Sequence, residues 1–141
     1  MEDDGPSIFT MIIEGQIPCH KVFEDELVFA FLDINPFSPG HTLVVPKEPA
    51  RTLDQLSDES AGALGRVLPR ISKAVLEATG AKEFNVLQNN GPHAFQSVFH
   101  VHFHIIPKLE DGTGLSWPFK SKPLDHEEAS SLARSISELI G

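Results

Sequence analysis

Cysteine is almost missing from this chain of 141 residues. Cys19 is the only one, so no intrachain disulfide can form. It follows Pro18 in a polar stretch and reads as an incidental thiol. Basic residues are also scarce: 11 Lys and Arg stand against 20 Asp and Glu, for a formal net charge of −9. That balance excludes a broad electrostatic footprint for duplex nucleic acid or an anionic membrane. It leaves open a small phosphate ligand in a locally positive pocket. No apolar run approaches the length of a membrane span. The opening residues Met1-Glu2-Asp3-Asp4-Gly5-Pro6 are acidic and hold no apolar core, which predicts no secretory leader. The expectation is a protein of the cytoplasm, or also of the nucleus.

What remains is an ordinary globular composition, 40% hydrophobic, sized for one domain over residues 1–141. Residues 1–6 are expected to be flexible. Residues 109–141 read as a C-terminal extension ending in a helix. No internal repeat or low-complexity run interrupts the chain.

Periodicity predicts the elements. Ser7 caps a short helix carrying Phe9, Ile12 and Ile13 and ended by Gly15. Strands follow at 21–23 and 27–32, with Asp25-Glu26 as a hairpin turn that lacks the usual glycine. Asn35-Pro36 and Pro39-Gly40 mark a loop before a strand at His41–Val45, stopped by Pro46. Leu53 to Ala81 is the main helix, with Leu64, Val67, Leu68, Ile71, Val75 and Ala78 as its apolar stripe. Ser57 and Gly80 suit its ends, and Pro69 is expected to kink it. A strand at 84–88 leads into the turn Asn89-Asn90-Gly91-Pro92. Asp125, with Glu128 three residues on, resembles a capping box for a last helix bearing Ala129, Leu132, Ala133, Ile136 and Ile140. The hairpin-scale links predict an α+β fold, an antiparallel sheet of about five strands with helices packed on one face.

The most informative segment is Phe99-His100-Val101-His102-Phe103-His104-Ile105-Ile106-Pro107. Its alternation predicts a half-buried strand with His100, His102 and His104 on one face and Phe99, Val101, Phe103 and Ile105 on the other. Three imidazoles offer a nucleophile, a base or a metal ligand near neutral pH. Gln96 and Ser97 add an amide and a hydroxyl at the entrance, and the turn from Gly91 to Gln96 could aim backbone N–H groups at an anion. Phosphoryl or nucleotidyl transfer needs that set. A zinc site is the competing reading. Three histidines in a straight row converge poorly, the outer two being roughly 13 Å apart at strand rise. Two could chelate, with His41 the best further ligand.

From Gln96 to Ile106 the segment resembles the signature of the histidine triad (HIT) family. Phe31–Pro36, Pro39–Lys47 and Asn85–Gly91 resemble the family's other blocks, in order and at the right spacing. The closest likeness is to the HINT branch of purine nucleoside phosphoramidases. The resemblance implies a HIT fold whose sheet extends across a homodimer. It implies a hydrolase that forms a covalent nucleotidyl-histidine on His102 from an AMP-type or GMP-type substrate, with no cofactor and no metal. His100 would orient and polarise His102, and His104 would donate to the phosphate with Ser97 and the backbone near Phe95. Gln96 would sit by the scissile bridge. Asp33 and Ile34 would hold the ribose and line the base slot, Asn89 would contact the nucleotide, and His41 would lie near the triad. Simpler readings stand beside these. Asp33 could close the Asn35-Pro36 turn, Asn89 could serve its own turn, Ser97 could merely start a strand, and His41 could be structural.

The chain also departs from the family. Many relatives bind structural zinc through a Cys-x-x-Cys pair in the first helix and a histidine after the Pro-Lys, together with another histidine. Those positions here read Ser7-Ile8-Phe9-Thr10 and Pro46-Lys47-Glu48-Pro49. Phe95 stands where a glycine-rich turn is usual and is expected to narrow the pocket. Trp117, in Trp117-Pro118, is a candidate specificity residue, or else packs in a core or at a dimer interface. The functional alternatives are a dinucleoside polyphosphate hydrolase, like the Fhit branch, and a nucleotide-binding regulatory module.

Overall fold

The computed structural model describes residues 5–141, so most of the expected flexible terminus lies outside the described residues. β1 (Lys21–Glu24) and β2 (Val28–Leu32) form the expected hairpin. Its turn needs no glycine because Asp25 closes it. The Asp25 carboxylate accepts the N–H groups of Leu27 and Val28 at 2.9 and 2.8 Å. β3 (Thr42–Pro46), β4 (Glu83–Gln88) and β5 (Phe103–Lys108) complete a five-stranded antiparallel sheet in the order β1-β2-β3-β5-β4.

Alternate strand residues feed two cores. Val28, Ala30, Val44 and Ile105 face α2 (Asp58–Thr79), which covers one side of the sheet with Ala63, Leu64, Val67, Ile71 and Val75. Phe29, Phe31, Leu43 and Val45 face the other side, closed by Phe9 and Ile12 of α1 (Ile8–Ile13). Helices on one face only were expected, and the structure puts them on both. The cause is legible in β2 and β3, whose unbroken apolar runs need cover on each side.

α2 starts at its Ser57 cap, and Leu53–Gln55 is a separate 3-10 turn. The helix runs through Pro69, which lies on its exposed face where water can take up the freed Gly65 carbonyl. Ala78 is exposed and does not join the stripe. α3 (His126–Ile140) is capped by Asp125, which accepts the N–H groups of Glu127 and Glu128. It makes no more than marginal contact with any other element.

The histidine strand is shorter than its alternation predicts. β5 pairs with β3 only from Thr42↔Ile105 to Val44↔Phe103. Toward Phe99 the partner would be Pro46, which has no N–H, and its carbonyl is taken by His100 Nε2 at 2.8 Å. Residues 99–102 therefore precede the ladder, tied instead by the Val101 N–H to Ala50 O at 2.8 Å. Val101 and Ile105 are buried as expected. Phe99 stays half-buried under the Arg51 guanidinium, 4.8 Å from its ring centre.

Candidate active site

A cavity of about 260 Å³ opens between α1, the 17–19 segment, the end of β2 and the histidine segment. Ile8, Phe9 and Ile12 of α1 form one wall, with Phe31, Ile34 and Leu43 opposite; Asp33, Ser97, His102 and His104 form the polar part. The alternation keeps its consequence although the ladder is short. The rings of His102 and His104 lie 5.0 Å apart, and Phe9 packs edge-on against His102 at 4.9 Å and His100 at 6.0 Å.

Hydrogen-bond partners fix the proton on each ring, because an N–H can only donate and a carbonyl can only accept. His102 Nδ1 faces the His100 carbonyl at 2.7 Å, so Nδ1 carries the proton and Nε2 keeps its lone pair. His100 Nε2 likewise donates to Pro46 O at 2.8 Å, and its Nδ1 accepts from the Ser7 hydroxyl at 2.8 Å. His41 Nδ1 accepts the Phe37 N–H at 3.1 Å, so its proton sits on Nε2. That Nε2 lies 2.9 Å from His104 Nδ1 and donates to it. His104 Nδ1 is thereby an acceptor, and its proton is left on Nε2.

All four rings are neutral near pH 7. Burial pushes His102, His100 and His41 below the ordinary 6.5, with the His100 carbonyl, the Pro46 carbonyl and the Asp33 carboxylate opposing respectively. His104 drops to about 4, through burial first and then its neighbours His102 and His41. Asp33 Oδ2 stands 3.5 Å from His41 Nε2. It does not make His41 an imidazolium, because desolvation outweighs it and the Phe37 N–H occupies Nδ1.

Other expected site residues sit differently. The His100 ring turns to Ser7 and Pro46, and only its carbonyl supports His102. Gln96 is buried, and its amide is wholly engaged with backbone: Oε1 accepts from Gly91 N–H at 2.7 Å, and Nε2 donates to Arg51 O and Val98 O at 2.7 and 3.1 Å. It staples the loop and does not line the cavity. The Phe95 N–H is spent on Pro92 O and that of Gln96 on Gly91 O. The Ser97 and Val98 N–H groups have no hydrogen-bond partner among the described residues and remain available to an anion. Asp33 closes the turn at Asn35 N–H (2.8 Å), as the simpler reading expected, and it also lines the cavity with Ile34. Asn89 donates to Phe95 O at 3.4 Å and stays outside the lining. Trp117 is 79% exposed beside Phe119, so it fills no core of this chain. Cys19, an incidental thiol by sequence, lines the cavity. The Phe37 N–H and the Pro46 carbonyl carried no sequence signal.

Neither metal possibility fits the donors. Asp33, His41 and His104 bring one ligand atom each within 4.8 Å of one another. Coordination through His41 Nε2 would need an imidazolate, or loss of the Phe37 bond to Nδ1. At the family's structural zinc corner, Ser7 Oγ and Thr10 Oγ1 lie 2.8 and 3.5 Å from His100 Nδ1. Neutral hydroxyls are poor zinc ligands. Hydrogen bonds close this corner instead.

A HIT domain model matches residues 14–111. The chain is 50% identical over 135 residues to an adenosine 5′-monophosphoramidase of Schizosaccharomyces pombe, covering 94% of this chain and 97% of that one. It superposes with a TM-score of 0.91 on a HIT family protein from Bacillus anthracis, at 38% identity and over 100% of both chains. A zinc-bound histidine triad family protein from Mycobacterium smegmatis, 37% identical, gives 0.71 over 94% of each. With the family model spanning most of its length and a relative matched almost end to end, this chain belongs to the HIT domain family.

Proposed function

We propose that this HIT-type nucleotide hydrolase cleaves the P–N bond of nucleoside 5′-monophosphoramidates, with AMP-type or GMP-type nucleotides as substrates. One observation carries the reading: the His102 Nε2 lone pair is held free, in a neutral ring, at the polar end of a cavity whose other walls are apolar. The apolar part suits a base, and Asp33 suits a ribose. Relatives named adenosine 5′-monophosphoramidase support the substrate class.

The steps follow from the tautomers. His102 Nε2 attacks the α-phosphorus, a P–N(His) bond forms, and the P–N(amine) bond breaks. The imidazole becomes cationic, and the His100 carbonyl at Nδ1–H stabilises that charge. The His104 Nε2–H and the open Ser97 and Val98 N–H groups stabilise the phosphoryl oxygens. The leaving nitrogen gains one proton, from the Ser97 hydroxyl or the His104 Nε2–H. Water then attacks phosphorus and the P–N(His) bond breaks; of the water's two protons one restores the Ser97 hydroxyl or the His104 Nε2–H and the other goes to solvent, and neutral His102 returns with the nucleoside monophosphate. No cofactor enters these steps.

The working unit in this reading is a homodimer. Leu132, Ile136, Leu139 and Ile140 of α3 are exposed, as are Phe84 and Val86 on the edge strand β4. A projecting apolar helix in a chain of this charge needs cover. α3 is 15 of 141 residues. Were it placed differently in the Bacillus anthracis protein, the whole-chain superposition would fall below the score found. A second copy of the chain supplies a cover common to both proteins.

The test is a substrate panel on the parent protein and His102→Ala. Adenosine and guanosine phosphoramidates should turn over, and a nucleotidyl adduct on His102 should be trapped by acid quench and mass spectrometry. Full activity of His102→Ala would refute the covalent route. Turnover of diadenosine polyphosphates alone would move the chain to anhydride hydrolysis, and AMP binding without turnover would make it a binding module.

A further inference from the structure

A phosphate ligand suggests a positively charged pocket, and this cavity is not one. Among the described residues, no Lys or Arg lines it. Its one charged side chain is the Asp33 carboxylate, bonded to the Asn35 N–H at 2.8 Å and 3.5 Å from the neutral His41 ring. The Asp33 side chain is 18% exposed, so salt and water screen its charge little.

Each wall was searched for a cation. α1 brings Ile8, Phe9 and Ile12, and β3 brings Leu43. The 17–19 segment brings the Cys19 thiol, which burial pushes up and keeps uncharged. Lys21 acts on Cys19 from β1 but is bonded to Glu24 at 3.1 Å, and Arg51 lies over the Phe99 ring; neither reaches the lining. Phe95 is 78% exposed and outside the lining, so it does not narrow the pocket as expected. What meets a phosphoryl oxygen is the His104 Nε2–H with the Ser97 and Val98 N–H groups, donors without net charge. Such donors suit an anion of one charge. A second charge on the same phosphoryl group would join Asp33 in a largely apolar cavity with no cation to offset it. An unpaired charge in such a place takes up a proton instead.

We propose that this site holds the phosphoryl group with one net negative charge, taking phosphoramidates directly and AMP only together with a proton. The proposal rests on the phosphoramidase reading and deepens it. A phosphoramidate carries one charge across the neutral range, whereas AMP carries two above its second pKa of about 6. The added proton rests on a phosphate oxygen or on His102 Nε2, and the balance is the same: AMP dianion plus one proton gives a bound ligand of one net charge. Charge thereby separates substrate from product, which share the whole nucleoside. The product becomes a dianion as its proton leaves, and the site then releases it.

The test is titration calorimetry of the parent protein with AMP and with adenosine 5′-methyl phosphate, a monoanion throughout, in buffers of different ionisation enthalpy. About half of AMP is monoanionic at pH 6 and about one part in a hundred at pH 8, so its Kd should rise about fiftyfold between them. About one proton should be taken up per AMP at pH 8, and none with the methyl ester. Asp33→Asn keeps an oxygen for the Asn35 turn and removes the charge. Both ligands share its ribose contact, so their ratio isolates the charge. At pH 8 the variant should favour AMP over the ester about tenfold more than the parent does. AMP binding at pH 8 with its pH 6 affinity and no proton uptake overturns the proposal. A ratio unchanged in Asp33→Asn also overturns it, since no other charge faces the phosphoryl group. If the proton is taken up but no phosphoramidate is cleaved, the phosphoramidase reading fails while the charge rule stands. If neither ligand binds, both fail.

Discussion

Replacing His41 by leucine isolates the relay that sets the proton on His104. The site is 1% exposed, and leucine keeps apolar bulk there while removing both ring nitrogens. Two partners are stranded: the Phe37 N–H, bonded at 3.1 Å, and His104 Nδ1, bonded at 2.9 Å. Without a donor at Nδ1, His104 is free to place its proton there and turn a lone pair toward the phosphate. A donor facing an anion then becomes an acceptor facing it. A hydrogen bond to a charged group contributes about 1.5–3 kcal/mol, and about 1.4 kcal/mol is a factor of ten. The expected loss in kcat/KM is therefore about ten- to 150-fold on adenosine 5′-phosphoramidate. Each stranded group also costs about 1–3 kcal/mol of stability, so a thermal melt must accompany the kinetics. His41→Gln restores a donor within reach of His104 Nδ1 and should recover much of the rate without restoring the Phe37 bond. Nitrogen-15 NMR reports the His104 tautomer directly. A folded His41→Leu protein with parent kcat/KM, or with the His104 proton still on Nε2, would refute the relay.

Three further outcomes follow from the same contacts. Burial holds His102 below 6.5, so its free base persists as pH falls through that value. The acid limb of kcat/KM should lie lower still, and a limb centred at or above 6.5 contradicts the assignment. Gln96→Ala strands one N–H and two carbonyls of the loop. It should lower stability by about 2–4 kcal/mol, a fall in thermal midpoint of about 5–15 °C; an unchanged melt would show that the loop stands without its staple. Leu132→Glu combined with Ile136→Glu puts two charges on the apolar face of α3, and sedimentation equilibrium should then report a monomer; a dimer of parent affinity would remove α3 from the interface.

Much of this fold was legible because its periodicities are local. The α2 stripe, its Ser57 and Gly80 ends, the Asp25 turn and the Asp125 cap each follow from residues a few positions apart. The short histidine ladder was not legible, because its limit is set by Pro46 on another strand. The same holds for α1, whose place opposite α2 follows only once β2 and β3 are seen to need two covers. At the site, residue types pointed to His102, His104, Asp33 and Ser97, and the cavity gathers all four. Gln96 and His100 looked alike in kind but serve through other atoms. Gln96 spends its amide on three backbone groups, and His100 lends a carbonyl that any residue possesses. Side-chain chemistry can be read along a chain, whereas main-chain donors and acceptors acquire positions only in the folded molecule.

That distinction explains how three histidines on one face come to unequal roles although the nearby Asp33 carboxylate makes none of them an imidazolium. The His100 carbonyl commits the His102 proton to Nδ1, the Pro46 carbonyl commits that of His100 to Nε2, and the Phe37 N–H commits that of His41 to Nε2. His104 inherits its state from His41. The three groups that set these states are peptide groups, which neither titrate nor depend on the residue that bears them. Their arrangement persists as long as β3, the 99–102 segment and the 33–41 loop keep their backbone course. Sequence can drift around such a site while its proton positions stay fixed, which suits a fold that superposes so closely on a protein sharing little more than a third of its residues. The same logic locates the sensitive substitutions. Changes that bend the backbone at Phe37, Pro46 or His100 should disturb the chemistry more than side-chain changes on the apolar walls.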